Sequence, residues 1–567
     1  MAEDMTAITG AEALLRALKR QGIDYFLANA GTDFPPIIEA LSRLGPEQAP
    51  QPVTVPHETA AVAMAHGYYL VSGKPLAVMV HVNVGLANAA MGVINAASDN
   101  IPLLVLSGRT PISEYGRPGS RVTPIQYGQE MYDQSSLVAD SVKFHYEMRY
   151  PEQAAQLVGR ALSIAMSEPR GPVYLSLPRE PLMETLPHTD PRYEEAAPPA
   201  AVAFPDPSAI EQAAQWIAAA DNPVILCQRG DVEGRLGAVL PDFCRRRAIT
   251  VVEPFTIRNV MASSDPMFAG HDPARALKDA DLVLVLDSGV PWIRALQDVA
   301  PSARVIHIGT DPDFHRMPVR GYRSDLSITA DPAAAVTLLG AAPFGSTQRI
   351  EERRRAIAHA TSERRAAMRA LADAGSGTPM TDEWMSHCIS DALEEDAVVF
   401  SELGVFAGVM DLKGPNRLFT NPHSGGLGWA MPAAIGARLA CPERLCVAVI
   451  GDGSYIFANP VACHQVSEAL GLPFLTIIKN NGMWNAVRRS VKNGYPQGAA
   501  VRENTMPLTS LEPAPDYCQI AAASRAHVER VERGEDLPAA LARALAVIGD
   551  ERRQALIDVC VAVSDKR

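Results

Sequence analysis

The chain has no Cys-x-x-Cys pair, although its 567 residues include eight cysteines, at positions 227, 244, 388, 441, 446, 463, 518 and 560. Thiols scattered in this way suit neither a zinc site nor a disulfide framework. They fit reduced core cysteines in a cytoplasm. No apolar run approaches the roughly 20 residues that a bilayer-crossing helix needs, so no membrane partner is expected. The opening Met-Ala-Glu-Asp is acidic and no apolar stretch follows it, so no signal peptide is expected. Positive charge is in deficit, with 51 Lys and Arg against 64 Asp and Glu, a net charge of −13 and a pI of about 5.5. Such a chain lacks the basic footprint that holds a phosphate backbone, and nucleic acid is not an expected partner. The 40 Gly and 45 Pro are spread along the chain, which excludes collagen-like and low-complexity classes.

What remains is an ordinary folded composition, 47% hydrophobic and 20% charged. At roughly 100–200 residues per domain the length suggests three or four domains. Residues 1–185 alternate helix and strand signals. Leu14, Leu15 and Leu18 share one helical face, Ile23–Asn29 reads as a buried strand, and Ala30-Gly31-Thr32-Asp33 turns into a helix with Pro35 and Pro36 in its first turn. Leu76–Val80, Leu103–Ser107 and Gly171–Pro178 are further strand candidates, and residues 85–99 have helical length. Residues 186–205, rich in Pro, Ala, Glu and Asp, read as a linker. A second block, 205–340, has strand candidates at Val224–Cys227, Ile249–Val252, Leu282–Asp287 and Val305–Ile308. An Arg-rich helix over Glu351–Leu371 follows, either a solvated connector or a phosphate-binding patch. The third block, 375–567, has Ala397–Ser401, Val447–Ile450, Phe474–Ile478 and Leu556–Val561. Strands alternating with helices predict an α/β protein of three doubly wound parallel-sheet domains.

The most informative stretch begins at Val447. An apolar strand runs into Gly451-Asp452-Gly453-Ser454 and then a helix. Glycines let backbone approach a ligand, and free N–H groups at a helix start favour an anion. A second strand ends in Lys479-Asn480-Asn481-Gly482. Asp452 and Asn481 are hard oxygen donors at strand ends. With a backbone carbonyl and diphosphate oxygens they would complete a Mg2+ octahedron.

Gly451-Asp452-Gly453…Asn480-Asn481 resembles the thiamine diphosphate signature of the acetolactate synthase, benzoylformate decarboxylase and pyruvate oxidase superfamily. Gly425 through Gly436 resembles the segment that precedes it there, and Pro56-His57-Glu58-Thr59-Ala60-Ala61 with Gly67-Tyr68 resembles the family's glutamate motif. The resemblance covers nearly the whole chain. It implies, in order, a pyrimidine-binding, a central and a diphosphate-binding domain. It implies that Glu58 hydrogen-bonds the aminopyrimidine ring of thiamine diphosphate, so that an imino tautomer can deprotonate thiazolium C2. The carbanion then attacks a carbonyl, and the cofactor acts as an electron sink. Leu427 matches the apolar prop under the bent cofactor, Gly425 the carbonyl facing its amino group, and Met483 a backbone carbonyl on Mg2+. Gly404 stands, with Val405, where benzoylformate decarboxylase has hydroxyls on the diphosphate, so that contact would be main-chain. Ala30 replaces a usual proline, and the spacing from Asp452 to Asn481 is slightly long. The cofactor would lie between the first domain of one chain and the third of another, in a homodimer or homotetramer.

For the substrate, His81 aligns with a catalytic histidine of benzoylformate decarboxylase and Thr32 with its substrate-binding serine. Gln129 and Lys143 resemble positions near the substrate of acetolactate synthase. Residues 485–510, with Arg488, Arg489, Tyr495 and Arg502, would form a lid. The central domain resembles one that carries FAD, ADP or nothing in this family, and FAD is not predicted. The leading expectation is a thiamine diphosphate- and Mg2+-dependent 2-keto acid decarboxylase or carboligase, with a keto acid, aldehyde or acyl-CoA as substrate. The alternative is a 2-hydroxyacyl-CoA or oxalyl-CoA type lyase, for which Arg316, Arg320 and Arg323 would meet CoA phosphates. A non-catalytic regulatory subunit is a third reading, opposed by the joint presence of Glu58, Asp452 and Asn481.

Overall fold

The computed structural model describes residues 7–186, 198–343 and 345–564. Of the expected linker, residues 187–197 therefore lie outside the described residues. Three parallel sheets carry the fold. The first is ordered Gln51–Thr54, Tyr25–Ala28, Ala77–Val80, Leu104–Arg109, Val173–Pro178, His145–Glu147. The second runs Thr250–Val252, Pro223–Cys227, Leu282–Leu286, Arg304–Gly309, Leu326–Thr329. The third runs Leu418–Thr420, Val398–Glu402, Cys446–Gly451, Leu475–Asn480, Ala555–Cys560, His527–Val531. A two-residue antiparallel pair, Ile8–Thr9 with Thr185–Leu186, stands apart from them.

Each apolar run singled out in the sequence is a strand, to within two residues at either end. In the three parallel sheets, the strands that the apolar pattern does not reveal are all at edges: Gln51–Thr54, His145–Glu147, Leu326–Thr329, Leu418–Thr420 and His527–Val531. An edge strand is covered less than a central one and needs no continuous apolar run. In Gln51–Thr54 only Val53 is buried.

The first and third sheets share one order. In each, the first strand in the chain is flanked by the second and the third. The chain therefore leaves that strand toward one edge and later returns to build toward the other. This reversal opens a crevice at the carboxyl ends of Tyr25–Ala28 and Ala77–Val80 in one sheet, and of Val398–Glu402 and Cys446–Gly451 in the other. Ligands of open α/β sheets bind at such switch points. Three non-glycine residues with positive φ follow strand ends, Val82 at +33°, Asp287 at +42° and Leu403 at +55°. Backbone of that kind is strained for a side-chain-bearing residue and tends to collect at functional sites.

The chain forms two compact units. One comprises Met1–Ala201, Pro422–Pro442 and Ala458–Leu470, and the other Val202–Asn421, Glu443–Phe457 and Gly471–Arg567. The first is organised around two helices, Glu58–Ser72 and Ala430–Ala440, that are apolar on every side and buried along most of their length. They touch backbone to backbone. A Cβ on Gly67 would overlap the carbonyl oxygen of Ala433, and one on Gly436 would overlap that of Met64. In the second unit the long charged helix, Thr347–Asp373, is anchored by Arg353, which donates to the carbonyls of Ala220, Asp221, Arg247 and Ala248. Among the described residues no helix is long and apolar enough to cross a membrane.

The helix contact makes a direct prediction. Gly436→Ala should destabilise the protein by about 1–3 kcal/mol, because the facing carbonyl is backbone and cannot rotate away. Gly549→Ala, whose Cβ meets nothing within 4 Å, should leave the urea midpoint unchanged or raise it slightly.

Candidate active site

At the switch point of the first sheet, two segments far apart in sequence meet. The Gly31-Thr32-Asp33 turn follows Tyr25–Ala28, and His81 follows Ala77–Val80 and caps the helix Val82–Ser98. Asp33 is 3% exposed. Its Oδ1 lies 2.5 Å from His81 Nδ1, and its Oδ2 accepts the Val82 N–H at 3.1 Å. Side chains cannot replace the glycines here. A Cβ on Gly108 would overlap the Asp33 carboxyl, and one on Gly31 the His81 ring. The other ring nitrogen, Nε2, is 3.3 Å from Gln129 Nε2. The hydrogen bond to Asp33 raises the His81 pKa, burial opposes it, and the charges of Asp33 and Glu58 add to the rise. Thr32 is exposed in the same turn.

Glu58 begins the helix Glu58–Ser72 and is buried. Asn88 Nδ2 donates to its Oε2 at 3.2 Å, the one donor to this carboxyl among the described residues. Its Oε1 lies against Gly85, in the first turn of the helix that His81 caps; a Cβ on Gly85 would sit 3.2 Å away. His57, the cap residue, accepts the Thr59 N–H on its ring at 3.3 Å. The elements thus bring Glu58, His81, Gln129 and Thr32 to one end of one sheet.

The same unit holds the glycine segment. Asn95 donates to the Gly426 carbonyl at 2.9 Å and accepts from Gly426 N–H at 3.1 Å and Ser424 Oγ at 2.6 Å. Gly425 takes φ +74° and a Cβ there would meet nothing within 4 Å. Leu427 follows, half-buried.

In the second unit, Asp452 opens the helix Asp452–Phe457 at the carboxyl end of Cys446–Gly451. Its Oδ1 accepts the Gly453 N–H at 2.8 Å, and its Oδ2 those of Asn481 at 3.2 Å and Gly482 at 2.7 Å. Burial raises its pKa, and these three N–H groups oppose the rise. Gly451 is open on the side of its absent Cβ, with Ser454 Oγ the nearest atom at 3.9 Å. Ser454 itself is buried. The neighbouring strand end separates the roles of two adjacent asparagines. Asn480 is buried and donates to Asp558 at 2.9 Å, whereas Asn481 is half-buried and accepts the Met483 N–H at 3.2 Å. The Met483 carbonyl accepts from Asn485 N–H at 2.9 Å. Gly404 is required by packing, since a Cβ would overlap the Val449 carbonyl. Among the described residues no group of three or more His, Cys, Asp and Glu is placed to hold a metal ion. A cation here would rest on Asp452 with amide and carbonyl oxygens.

Lys143 is not brought to these groups. Its N–H pairs with Pro172, at the amino end of Val173–Pro178, and its ammonium donates to the carbonyls of Ile164 and Ser167 at 2.7 and 2.6 Å. That is the opposite end of the sheet from His81. Residues 485–510 contain the helices Asn485–Gly494 and Ala499–Arg502, with Arg488 bonded to Asn504 and Tyr495 exposed. Three residues of the site escaped the sequence reading: Asp33, Asn88 and Asn95. A signal existed for the last two. They stand seven apart on one helix, hence on one face, and asparagine is a poor helix former.

Comparison with known proteins bears on all three blocks of the chain. The models for thiamine pyrophosphate enzymes match in all three of their domains: the N-terminal TPP binding domain over residues 8–137, the central domain over 210–339 and the C-terminal TPP binding domain over 403–559. Acetolactate synthase isozyme 1 large subunit of Escherichia coli is 25% identical over 510 residues, which is 86% of this chain and 84% of that one. Benzoylformate decarboxylase of Pseudomonas aeruginosa is 26% identical over 550 residues, 93% of this chain and 95% of that one. The solved structure of the thiamine diphosphate-dependent 4-hydroxybenzoylformate decarboxylase of Rhodococcus jostii superposes with a TM-score of 0.78 at 22% identity. The match covers 99% of this chain and 100% of that one.

Removing the Asp452 carboxylate would strand buried N–H donors. Asp452→Ala should cost about 1–3 kcal/mol in chemical denaturation, and an undiminished midpoint would show that water replaces the carboxylate.

Proposed function

We propose, from the premise that this chain belongs to the thiamine pyrophosphate enzymes, that it is a non-oxidative 2-keto acid decarboxylase or carboligase using thiamine diphosphate and Mg2+. The observation that carries the proposal is the buried Glu58 carboxyl, with a single donor, set against the helix that His81 caps. The residues fit the cofactor. Gly451 and Gly425 leave open space where a ligand would approach, and Asp452 presents a carboxylate held in place by three N–H groups. In this reading Glu58, Gly425 and Leu427 hold the pyrimidine side of the cofactor. Gly404, Gly451, Gly453 and Ser454 hold the diphosphate, and Asp452, Asn481 and the Met483 carbonyl hold Mg2+. Domain limits of 1–185, 205–340 and 375–567 go with it.

When bound, thiamine diphosphate supplies a carbon nucleophile and an electron sink. The protein side of the chemistry is acid–base. Glu58 exchanges a proton through its free Oε1, with Asn88 fixing the other oxygen. His81 presents Nε2, beside the Gln129 amide, to a substrate carbonyl or carboxylate, and Thr32 offers a hydroxyl from the adjoining turn. Lys143 has no such place in this scheme. A 2-keto acid carries a carboxylate, which suits a histidine whose pKa is raised by its hydrogen bond to Asp33. Of the three arginines considered for CoA phosphates, Arg316, Arg320 and Arg323, the last two bond carbonyls of their own domain at Ser288, Gly289 and Pro301. They do not favour the acyl-CoA lyase alternative. A homodimer or homotetramer in the cytoplasm completes the proposal. The loop that brings Gln129 also exposes Tyr115, Val122, Ile125, Tyr127 and Tyr132, an apolar surface suited to a second copy.

The test is carbon dioxide release from a panel of 2-keto acids, pyruvate through benzoylformate, with thiamine diphosphate and Mg2+. Glu58→Gln should lower turnover at least about a hundredfold, and chelation should abolish it until Mg2+ is restored. Release from no keto acid by protein that has bound the cofactor would refute the proposal.

A further inference from the structure

The arginine-rich helix Thr347–Asp373 has two halves with different surroundings. In the first, Arg349 is held by Asp221 and Arg353 by four backbone carbonyls. In the second, Arg364, Arg365, Met368 and Arg369 line a cavity of about 240 Å3 that lies within the second compact unit. Phe268 and residues 407–411 form other parts of its wall. None of these residues belongs to the site described above. Three arginines in one cavity repel one another unless acids answer them. Two aspartates, Asp391 and Asp411, line the same space, but both are already engaged. Asp391 Oδ2 lies 3.1 Å from His387 Nε2, and Asp411 Oδ2 accepts from Lys413 at 2.7 Å. Arg365 comes only to 3.7 Å from Asp411, and Arg369 only to 3.9 Å from Asp391, both beyond hydrogen-bond range. Arg369 bonds Asp373 instead, at 3.0 Å. Arg364 has no carboxylate partner among the described residues. It donates from Nη2 to the Phe268 carbonyl at 3.4 Å, and its Nε is buried without a partner. A half-buried guanidinium satisfied so little is costly unless some other group supplies acceptors.

We propose that this cavity binds a phosphate monoester with a small apolar body, its phosphoryl oxygens resting on Arg364 and Arg365. A phosphate monoester brings three acceptor oxygens and close to two negative charges at neutral pH. That suits two guanidiniums with unused donors better than the two oxygens of a single carboxylate do. The cavity is smaller than the roughly 300 Å3 at which drug-sized sites begin, which keeps the ligand small. Phe268, Met368, Val409 and Met410 offer apolar contact to its body. The inference does not rest on the keto acid reading.

The test is isothermal titration calorimetry on the full-length protein at low salt. Thiamine diphosphate and Mg2+ are present throughout, so that a site for the cofactor's own diphosphate is filled. The probes are phenyl phosphate, inorganic phosphate and succinate. Phenyl phosphate should bind with a Kd below about 1 mM, and the other two at least about tenfold more weakly. Arg364→Gln should raise the phenyl phosphate Kd at least about tenfold, and Arg365→Gln at least about threefold. Arg355→Gln is the control. Its side chain is on the same helix, 74% exposed and outside the cavity, and the Kd should not change. Absence of phenyl phosphate binding to the wild type overturns the proposal. So does binding that both cavity variants retain unaltered, or an equal loss in Arg355→Gln, which would reduce the effect to the charge of the helix. Succinate that binds as tightly overturns the choice of phosphate, and inorganic phosphate that binds as tightly overturns the apolar body. The Arg365 side chain is 45% exposed, so Arg365→Gln decides the matter if Arg364→Gln does not fold.

Discussion

Parallel pairing is the constraint on which the site depends. When every strand of a sheet runs the same way, every strand ends at the same edge, and the segments that leave those ends are held close by the ladder itself. His81 and the Asp33 turn leave adjacent strands of the first sheet, and Asp452 and Asn481 leave adjacent strands of the third. No disulfide or bound group is needed to bring these residues together. The ladder does so, and the strand order, reversed at the same point in both sheets, supplies the crevice.

Within that frame the three acidic residues differ in how fully their oxygens are used. Asp452 accepts three backbone N–H groups, which hold its carboxylate in one orientation. Asp33 divides its two oxygens between a ring and a strained backbone. Glu58 has one side-chain donor and a second oxygen left toward the helix of His81. A buried carboxyl with spare acceptor capacity costs stability, and in the proposed function that spare oxygen is the one that exchanges a proton. The helix crossing at Gly67 and Gly436 complements this. It brings two rigid helices to backbone contact and thereby fixes where Glu58 starts and where the segment after Gly425 ends.

Much of this was legible in the sequence. Central strands are apolar on both faces, so runs such as Leu282–Leu286 announce themselves. The glycines and acids of 451–454 and 57–58 are contiguous, and a contiguous motif survives without knowledge of its neighbours. Of the six edge strands of the parallel sheets only Thr250–Val252 was legible, because one covered face leaves little pattern. Asp33 was in view only as part of a turn, since its partner is 48 residues away. Lys143, expected near the substrate, shows the converse. Proximity in a related protein's motif says nothing of which end of a strand the side chain occupies, and here a position before the strand, not after it, decides.

The amino-acid sequence by itself determined the class, three α/β blocks, and the contiguous glycine and acid motifs at strand ends, because these follow from local periodicity and short motifs. Tertiary structure alone decided that Asp33 meets His81, that Asn480 is committed to Asp558 while Asn481 accepts the Met483 N–H, and that Lys143 stands at the opposite end of its sheet. The reason is physical. A strand's existence is set by its own residues, but its neighbours and register are set by the whole sheet, and at a sheet's end it is the neighbours that make the chemistry.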